Sequence, residues 1–339
     1  MELSREIEYL DLHVAGEPLR VATKIFEDIP GKTMMEKREY AMRELDGLRR
    51  LLLLEPRGHA DMYGALLTPP VEAGSDFGVL FMHGGGMSTM CGHGTIALAR
   101  AAEHLGLVKC REGKNTVTID APSATVRATV HVRDGKAEDI SFRNAPSFAY
   151  ALDAPVRTKR FGTVHMDIGY GAAFMVFVRG EELGMDINTA AVPEMISAGM
   201  ELTEAVISQV DMTHPLDERL NARDNGICLM ISQPPEVRGK EVLHKNFTVY
   251  GEGQFDRSPT GTGSSALAAI LRAKGILEPD MRLINRGITD IPFIVGIEDA
   301  QPVGGHAAVQ PTVSAMAYIS GRGAVVLEPD DPLKDGFAF

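Results

Sequence analysis

Cysteine is scarce in this chain of 339 residues, which has only Cys91, Cys110 and Cys228. An odd, sparse set argues for reduced thiols and not a disulfide framework, and the three lack the spacing of a metal site. Basic blocks are absent too. A formal net charge of -12 argues against nucleic acid or an anionic membrane surface as the main partner. No apolar stretch approaches the roughly 18 residues that a membrane-crossing helix needs. The opening MELSREIEYLDLHV carries acids where a secretory leader has a basic and then an apolar run. These absences predict a cytoplasmic protein. No low-complexity segment or long linker interrupts the chain, and its length suits two domains of ordinary size.

What the sequence does contain is a repeat. CGHGTIALARAAEHLGLV, from Cys91, aligns without a gap on TGTGSSALAAILRAKGIL, from Thr260. Gly92 meets Gly261, Gly94 meets Gly263, Ala97 to Ala99 meet Ala266 to Ala268, and Gly106 meets Gly275. The offset is roughly half the chain, which indicates two copies of one unit and not a solenoid of short repeats. In each copy a small-residue turn opens an Ala/Leu-rich helix that a glycine closes. Such helices are apolar on nearly every face and are expected to be buried. A buried helix start after Gly-x-Gly directs backbone N–H groups at one point, an anion site. Two facing each other would hold one small anion. The residue at the mouth is a thiol in one copy and a hydroxyl in the other.

Around these helices the chain reads as many short strands. Ile7 to Val14 is a predicted strand ending in the polar turn Asp11 to Arg20, which either brings His13, Glu17 and Arg20 to a site or is a surface turn with a salt-bridged arginine, the reading that spacing alone favours. Thr33 to Arg49 has helical periodicity behind a threonine cap and reads as a helix covering the sheet. Met62 to Thr68 and Phe77 to His83 are predicted strands. Gly84 to Gly86 gives the backbone room to turn, since no Lys-Ser/Thr follows it and a dinucleotide fingerprint is lacking. Thr116 to Asp120, Thr125 to Arg133 and Lys136 to Phe142 alternate as strands, with Asp134-Gly135 a hairpin turn. Asn144 to Pro155 reads as a crossing to the second half, and Asn188 to Val210 as helical. Strands are expected at Gly162 to Asp167, Ala172 to Val178, Ile227 to Ser232, Glu241 to Tyr250, Met281 to Asn285, Ile291 to Val295, Thr312 to Ser320 and Ala324 to Leu327. The fold class is α+β: two pseudo-symmetric domains, each a curled, mainly antiparallel sheet around a central helix. Residues 1–150 carry Cys91, with strands from about 310–339 returning to them, and residues 151–310 carry Thr260.

A thiol at a helix N-terminus has its thiolate favoured by the helix dipole and nearby N–H groups, while burial opposes it. With His93 two residues on, Cys91 can act as base or nucleophile; a small buried cysteine is the plain alternative. Its glycines and the repeat register favour function. Cys110 and Cys228 sit at no helix mouth and read as structural. Thr260 can donate or accept a hydrogen bond but cannot shuttle a proton without an adjacent base. Asp256 either meets a cationic group of a ligand or is a helix-start acid paired with Arg257. His93 could equally cap its own helix, and Gly92, Gly94, Gly261 and Gly263 could serve only close packing.

Met90-Cys-Gly-His93 together with Asp256-Arg-Ser-Pro-x-Gly-Thr-Gly263 resembles the proline racemase family, which includes hydroxyproline epimerases and trans-3-hydroxy-L-proline dehydratases. The segments Asp11 to Arg20 and Glu55 to His59 look like that family as well, so the likeness spans the chain. The resemblance implies the fold shared with diaminopimelate epimerase, a site in the cleft between domains, no cofactor and no metal, with homodimerisation the family's habit. Racemases and epimerases of this family use two cysteines on opposite faces of the α-carbon. This chain matches the first at Cys91 and departs from the pattern at Thr260. The cysteine-threonine pair resembles the dehydratase branch, and implies an amino-acid-catabolic hydro-lyase acting on trans-3-hydroxy-L-proline. By the same resemblance, amides at Gly92, His93, Gly261 and Thr262 hold the carboxylate, Asp256 binds the ring ammonium, and His93 positions substrate or tunes Cys91. The rival readings are a proline or 4-hydroxyproline racemase/epimerase that tolerates Thr260, and a non-catalytic binder of cyclic amino acids.

Overall fold

The computed structural model describes residues 6–338; residues 1–5 of the acidic opening lie outside the described residues. The chain divides into two compact units, one running to Phe142 and resuming at Ala315, the other spanning Arg143 to Ser314.

In the first unit the strands are β1 (Glu6–Val14), β2 (Glu17–Ile25), β3 (Gly64–Thr68), β4 (Phe77–His83), β5 (Gly86–Ser88), β6 (Gly113–Asp120), β7 (Thr125–Arg133) and β8 (Lys136–Arg143). Its helices are α1 (Met34–Glu44), α2 (Asp46–Leu53) and α3 (Gly92–His104). The helix expected over Thr33 to Arg49 is therefore two, broken at Leu45. Thr33 does cap the first, accepting the Glu36 N–H at 3.1 Å. Leu45, Leu48, Leu51, Leu52 and Leu53 bury against Leu66, Leu80 and Met82 of the sheet. The polar turn expected from Asp11 to Arg20 is instead a tight hairpin, with Glu17 pairing Val14 and Arg20 pairing Asp11. Arg20 is buried, not a surface residue. Its guanidinium forks onto both Asp11 oxygens at 2.9 Å, donates to Leu52 and Arg57 carbonyls at 3.0 and 2.7 Å, and lies 4.0 Å above the Tyr9 ring.

The second unit contains β9 (Ser147–Arg157), β10 (Thr163–Tyr170), β11 (Phe174–Arg179), a small ribbon of β12 (Thr213–His214) and β13 (Asp217–Asn221), β14 (Cys228–Ser232), β15 (Glu236–Arg238), β16 (Glu241–Tyr250), β17 (Gln254–Asp256), β18 (Arg282–Arg286), β19 (Pro292–Val303) and β20 (His306–Ala315). Strand β21 (Ala317–Val326) returns to the first unit and pairs with β1. The helices are α4 (Gly180–Leu183), α5 (Val192–Gln209), α6 (Ala222–Asn225) and α7 (Gly261–Ala273). Asn144 to Pro155, expected as a crossing, is mostly strand β9. The break expected between Ser320 and Ala324 falls at Met316 instead, because β21 keeps pairing with β1 through a bulge at Asp11/Leu12.

Pairing in the first unit runs β21, β1, β2, β3, β4, β6, β7, β8, in the senses antiparallel, antiparallel, parallel, antiparallel, parallel, antiparallel, antiparallel. In the second it runs β9, β10, β11, β14, β16, β18, β19, β20 with the same succession of senses. There β20 also pairs with β9, so the second sheet closes into a barrel. The sheets are mixed, not simply antiparallel. Helix α3 packs on β1, β2, β6, β7 and β21, and α7 on β9, β10, β11 and β19. Each is buried along almost its whole length, as a helix apolar on every side must be.

A polar network supports α7 from the sheet. Asn285 donates to Ser264 Oγ at 2.9 Å and the Pro259 carbonyl at 3.4 Å, so its Oδ1 is left to accept the His244 Nδ1 proton at 2.8 Å. Burial drives the His244 pKa down to about 4, the Asn285 hydrogen bond opposing only in part. The unfolded chain takes up this proton near pH 6.5, whereas the folded chain waits until about 4. The contribution to stability is therefore complete above the unfolded value and is lost as pH falls toward the folded one. Lowering pH from 7 to 5 is expected to cost about 2 kcal/mol through this group alone. Denaturant midpoints of the wild type and His244→Gln at the two pH values check this: the variant should lose that share of the pH dependence.

Candidate functional site

The first mouth forms where β5 leaves the β4 hairpin and enters α3. Cys91 is the N-cap, extended at φ -146° and ψ 118°. Its sulfur accepts the Gly94 N–H at 3.2 Å and lies 3.3 Å from His93 Nδ1. The Thr95 hydroxyl and N–H close on the Cys91 carbonyl at 2.8 and 3.0 Å. Gly94 is required here, because a Cβ would stand 2.4 Å from the fully buried Phe81 ring. His93 is buried, in contact with the sulfur, and its ring meets Tyr63 edge-on at 4.9 Å. Gly92 and His93 lie in the first turn of α3, and the Gly94 N–H is the backbone donor that reaches the sulfur.

The segment leading to Cys91 is pinned from the α1 and α2 side. Arg38 donates to the Met87 carbonyl through Nε and Nη2 at 2.9 and 2.6 Å. Arg49 donates to the carbonyls of His83, at 3.0 Å, and of Gly84, while held to Asp46. The Tyr63 hydroxyl bonds Ser88. Burial lowers the pKa of the Arg38 guanidinium, with Glu39 and Tyr63 opposing. These helices therefore do more than cover the sheet. No spacing in the sequence connects Arg38, Arg49 or Tyr63 with Cys91; only the folded path brings them together.

The second mouth is built differently. Thr260 is buried, has φ 65° and ψ 113°, and its side chain does not cap α7. For a β-branched residue this is a strained backbone, costing on the order of 1–3 kcal/mol. The side chain turns away, with Oγ1 at 2.8 Å from Asp256 Oδ2 and 2.9 Å from Thr248 Oγ1. Asp256 Oδ1 accepts the Ser258 N–H at 2.7 Å, and Ser258 Oγ accepts the Thr260 N–H at 3.1 Å. Asp256 is thus Thr260's partner, its carboxylate accepting the hydroxyl proton. Arg257 lies over the Phe255 ring at 4.3 Å. Gly263 again provides closeness: a Cβ there would stand 2.5 Å from the Met230 methyl. Gly261 and Thr262 begin the first turn of α7. Asn246 and Thr248 escaped the sequence reading. Their signal is the alternation His244, Asn246, Thr248 on β16, polar residues on the face that meets α7. Among the described residues no group of three or more His, Cys, Asp or Glu is arranged to hold a metal ion, and no helix is long and apolar enough to cross a membrane.

A sheet-wrapped helix with a thiol at its mouth places the chain among known enzymes. Residues 9–338 match the family model described as proline racemase. A proline racemase from Clostridioides difficile is 37% identical over 337 residues, 99% of each chain. A trans-3-hydroxy-L-proline dehydratase from Bacillus thuringiensis subsp. konkukian (strain 97-27) is 38% identical over 337 residues, again 99% of each. The crystal structure of a hydroxyproline epimerase from Agrobacterium vitis, with bound trans-4-hydroxy-L-proline, superposes with a TM-score of 0.88 at 28% identity, covering 100% of this chain and 96% of that one. The chain belongs to the proline racemase family.

The other two cysteines differ from Cys91 in their surroundings. Burial raises the Cys110 pKa, with Glu103 adding to it. Burial pushes Cys228 up to about 12, the Asp256 carboxylate contributing. Under iodoacetamide at about pH 7.5, peptide mapping should find Cys91 alkylated first and Cys228 last. The Cys228 rate should still climb about tenfold per pH unit between about pH 8 and 11, in step with its thiolate fraction.

Proposed function

We propose that this protein is a trans-3-hydroxy-L-proline dehydratase that works without a cofactor, yielding Δ1-pyrroline-2-carboxylate in amino acid catabolism. The observation that carries the reading is the unequal pair of mouths: a thiol held by Gly94 and His93 at one, a hydroxyl bonded to Asp256 at the other. The shared succession of strand pairings supports a duplicated, pseudo-symmetric origin for the two domains, so the difference between thiol and hydroxyl stands out against a common scaffold.

In trans-3-hydroxy-L-proline the hydroxyl is trans to the carboxylate and so shares a ring face with the α-hydrogen. Cys91 thiolate removes that proton; the resulting thiol returns it to the departing hydroxyl, which leaves as water as the C3–O bond breaks. The enamine formed relaxes to the cyclic imine. One thiol suffices, and protons balance over the cycle. First-turn amides of Gly92, His93, Gly261 and Thr262 hold the substrate carboxylate and stabilise the charge it gains as the α-carbon loses its proton. Asp256 receives the ring ammonium. The relatives named proline racemase and hydroxyproline epimerase favour a second reading, inversion of proline or 4-hydroxyproline, for which Thr260 would have to deliver or remove a proton. A cyclic amino acid binder without chemistry is a third, which turnover excludes.

Proton NMR in deuterated buffer separates these. Trans-3-hydroxy-L-proline should lose its C3 carbinol signal as a pyrroline appears, while proline and trans-4-hydroxy-L-proline are not inverted. Inversion with the ring hydroxyl retained would decide for the epimerase. Cys91→Ser should lower the elimination rate about 10²–10⁴-fold; full activity in that variant would remove Cys91 from the chemistry. Thr260→Cys should introduce α-deuteration and some epimerisation of proline or a hydroxyproline. If neither inversion nor α-exchange changes, Thr260 does not serve the second face.

A further inference from the structure

The hydroxyls at the second mouth form a chain whose proton direction is set from its buried end. Asn246 Nδ2 can only donate, so Thr248 Oγ1 accepts from it, at 3.1 Å. The Asp256 carboxylate can only accept, and it stands 2.8 Å from Thr260 Oγ1. Thr260 has one hydroxyl proton for two neighbours. Given to Thr248, it would leave a Thr260 lone pair against the carboxylate; given to Asp256, it leaves Thr248 to donate to Thr260 across their 2.9 Å. Only the second assignment satisfies Thr248, Thr260 and Asp256 together. The order is Asn246 to Thr248 to Thr260 to Asp256, and Asn246, Thr248 and Ser258 are fully buried, closed to competing water.

We propose that Thr248, backed by Asn246, is a positioning residue that makes Thr260 a pure acceptor toward the substrate. Thr260's proton is committed to Asp256 and one lone pair to Thr248. The remaining lone pair, beside the carboxylate, receives an N–H of the ring ammonium, and no hydroxyl proton is left to deliver to the α-carbon. Absence of inversion then follows from the wiring of the mouth as well as from the weak acidity of a hydroxyl. The strained backbone fits this role, since the bonds from Thr260 to Thr248, Asp256 and Ser258 hold a conformation the residue would not adopt alone. The proposal rests on the reading of a cyclic amino acid substrate.

Two ligands that differ at one ring atom test it: L-proline, with a ring nitrogen, and (S)-tetrahydrofuran-2-carboxylate, with oxygen in its place. By calorimetric titration, Thr248→Val, which keeps the side-chain shape, should weaken L-proline about tenfold and leave the oxygen analogue within about twofold, with Thr248→Ser restoring proline affinity. Equal weakening of both ligands, or of neither, overturns the proposal. A wild-type protein that binds neither ligand overturns the substrate reading itself, and the proposal with it; that result is distinguishable because no substitution is involved.

Discussion

Everything in this molecule follows from having to bury two helices that lack a polar side. Helices α3 and α7 are mostly Ala, Gly, Leu, Ile and small hydroxyls, with charged residues only toward their C-terminal ends, and ten residues of each are buried, so neither can rest on a sheet with its back to water. Each sheet curls around its helix, and in the second unit the strand order closes completely. Burial of the helix carries its N-terminus inward as well, where first-turn N–H groups need acceptors that water cannot supply. A helix start in that position is a packing liability, and at Gly94 any side chain would meet the Phe81 ring.

The two mouths differ in the direction of a single side chain. Cys91 turns back onto its own helix and accepts the Gly94 N–H; Thr260 turns outward to Asp256 and Thr248. The backbone follows, extended at Cys91 and left-handed at Thr260. Sulfur against N–H and histidine is an arrangement for holding negative charge. A hydroxyl against a carboxylate is an arrangement for offering lone pairs to a cation.

The sequence was informative wherever a local pattern carried a local consequence. The Gly-x-Gly helix starts, the threonine cap at Thr33, the hairpin at Asp134-Gly135 and most strands were legible because propensity and spacing act within a few residues. Arg20 does form the ion pair that a local reading expects, to Asp11, but it is buried and not at the surface, since nothing local shows that Tyr9 and two carbonyls from the α2 region also converge on it. For Asp256 the local pattern leaves a ligand cation and the neighbouring Arg257 both open, and says nothing of the Thr260 hydroxyl that the fold brings to it. The crossing at Asn144 to Pro155 became a strand because β10 and β20 offer it edges to pair with, which is a property of the sheet and not of the segment.

By itself the sequence determined the repeat, the two buried helices, the residue standing at each mouth and the family, because side-chain identity and register are intrinsic to the chain. Tertiary structure alone decided what those mouth residues touch. The pinning of the Cys91 segment by Arg38 and Arg49, and the Asn246–Thr248–Thr260–Asp256 chain, join strands and loops far apart in sequence. Hydrogen bonds act over about 3 Å, and which groups come within that reach is set by how the sheets curl around their helices.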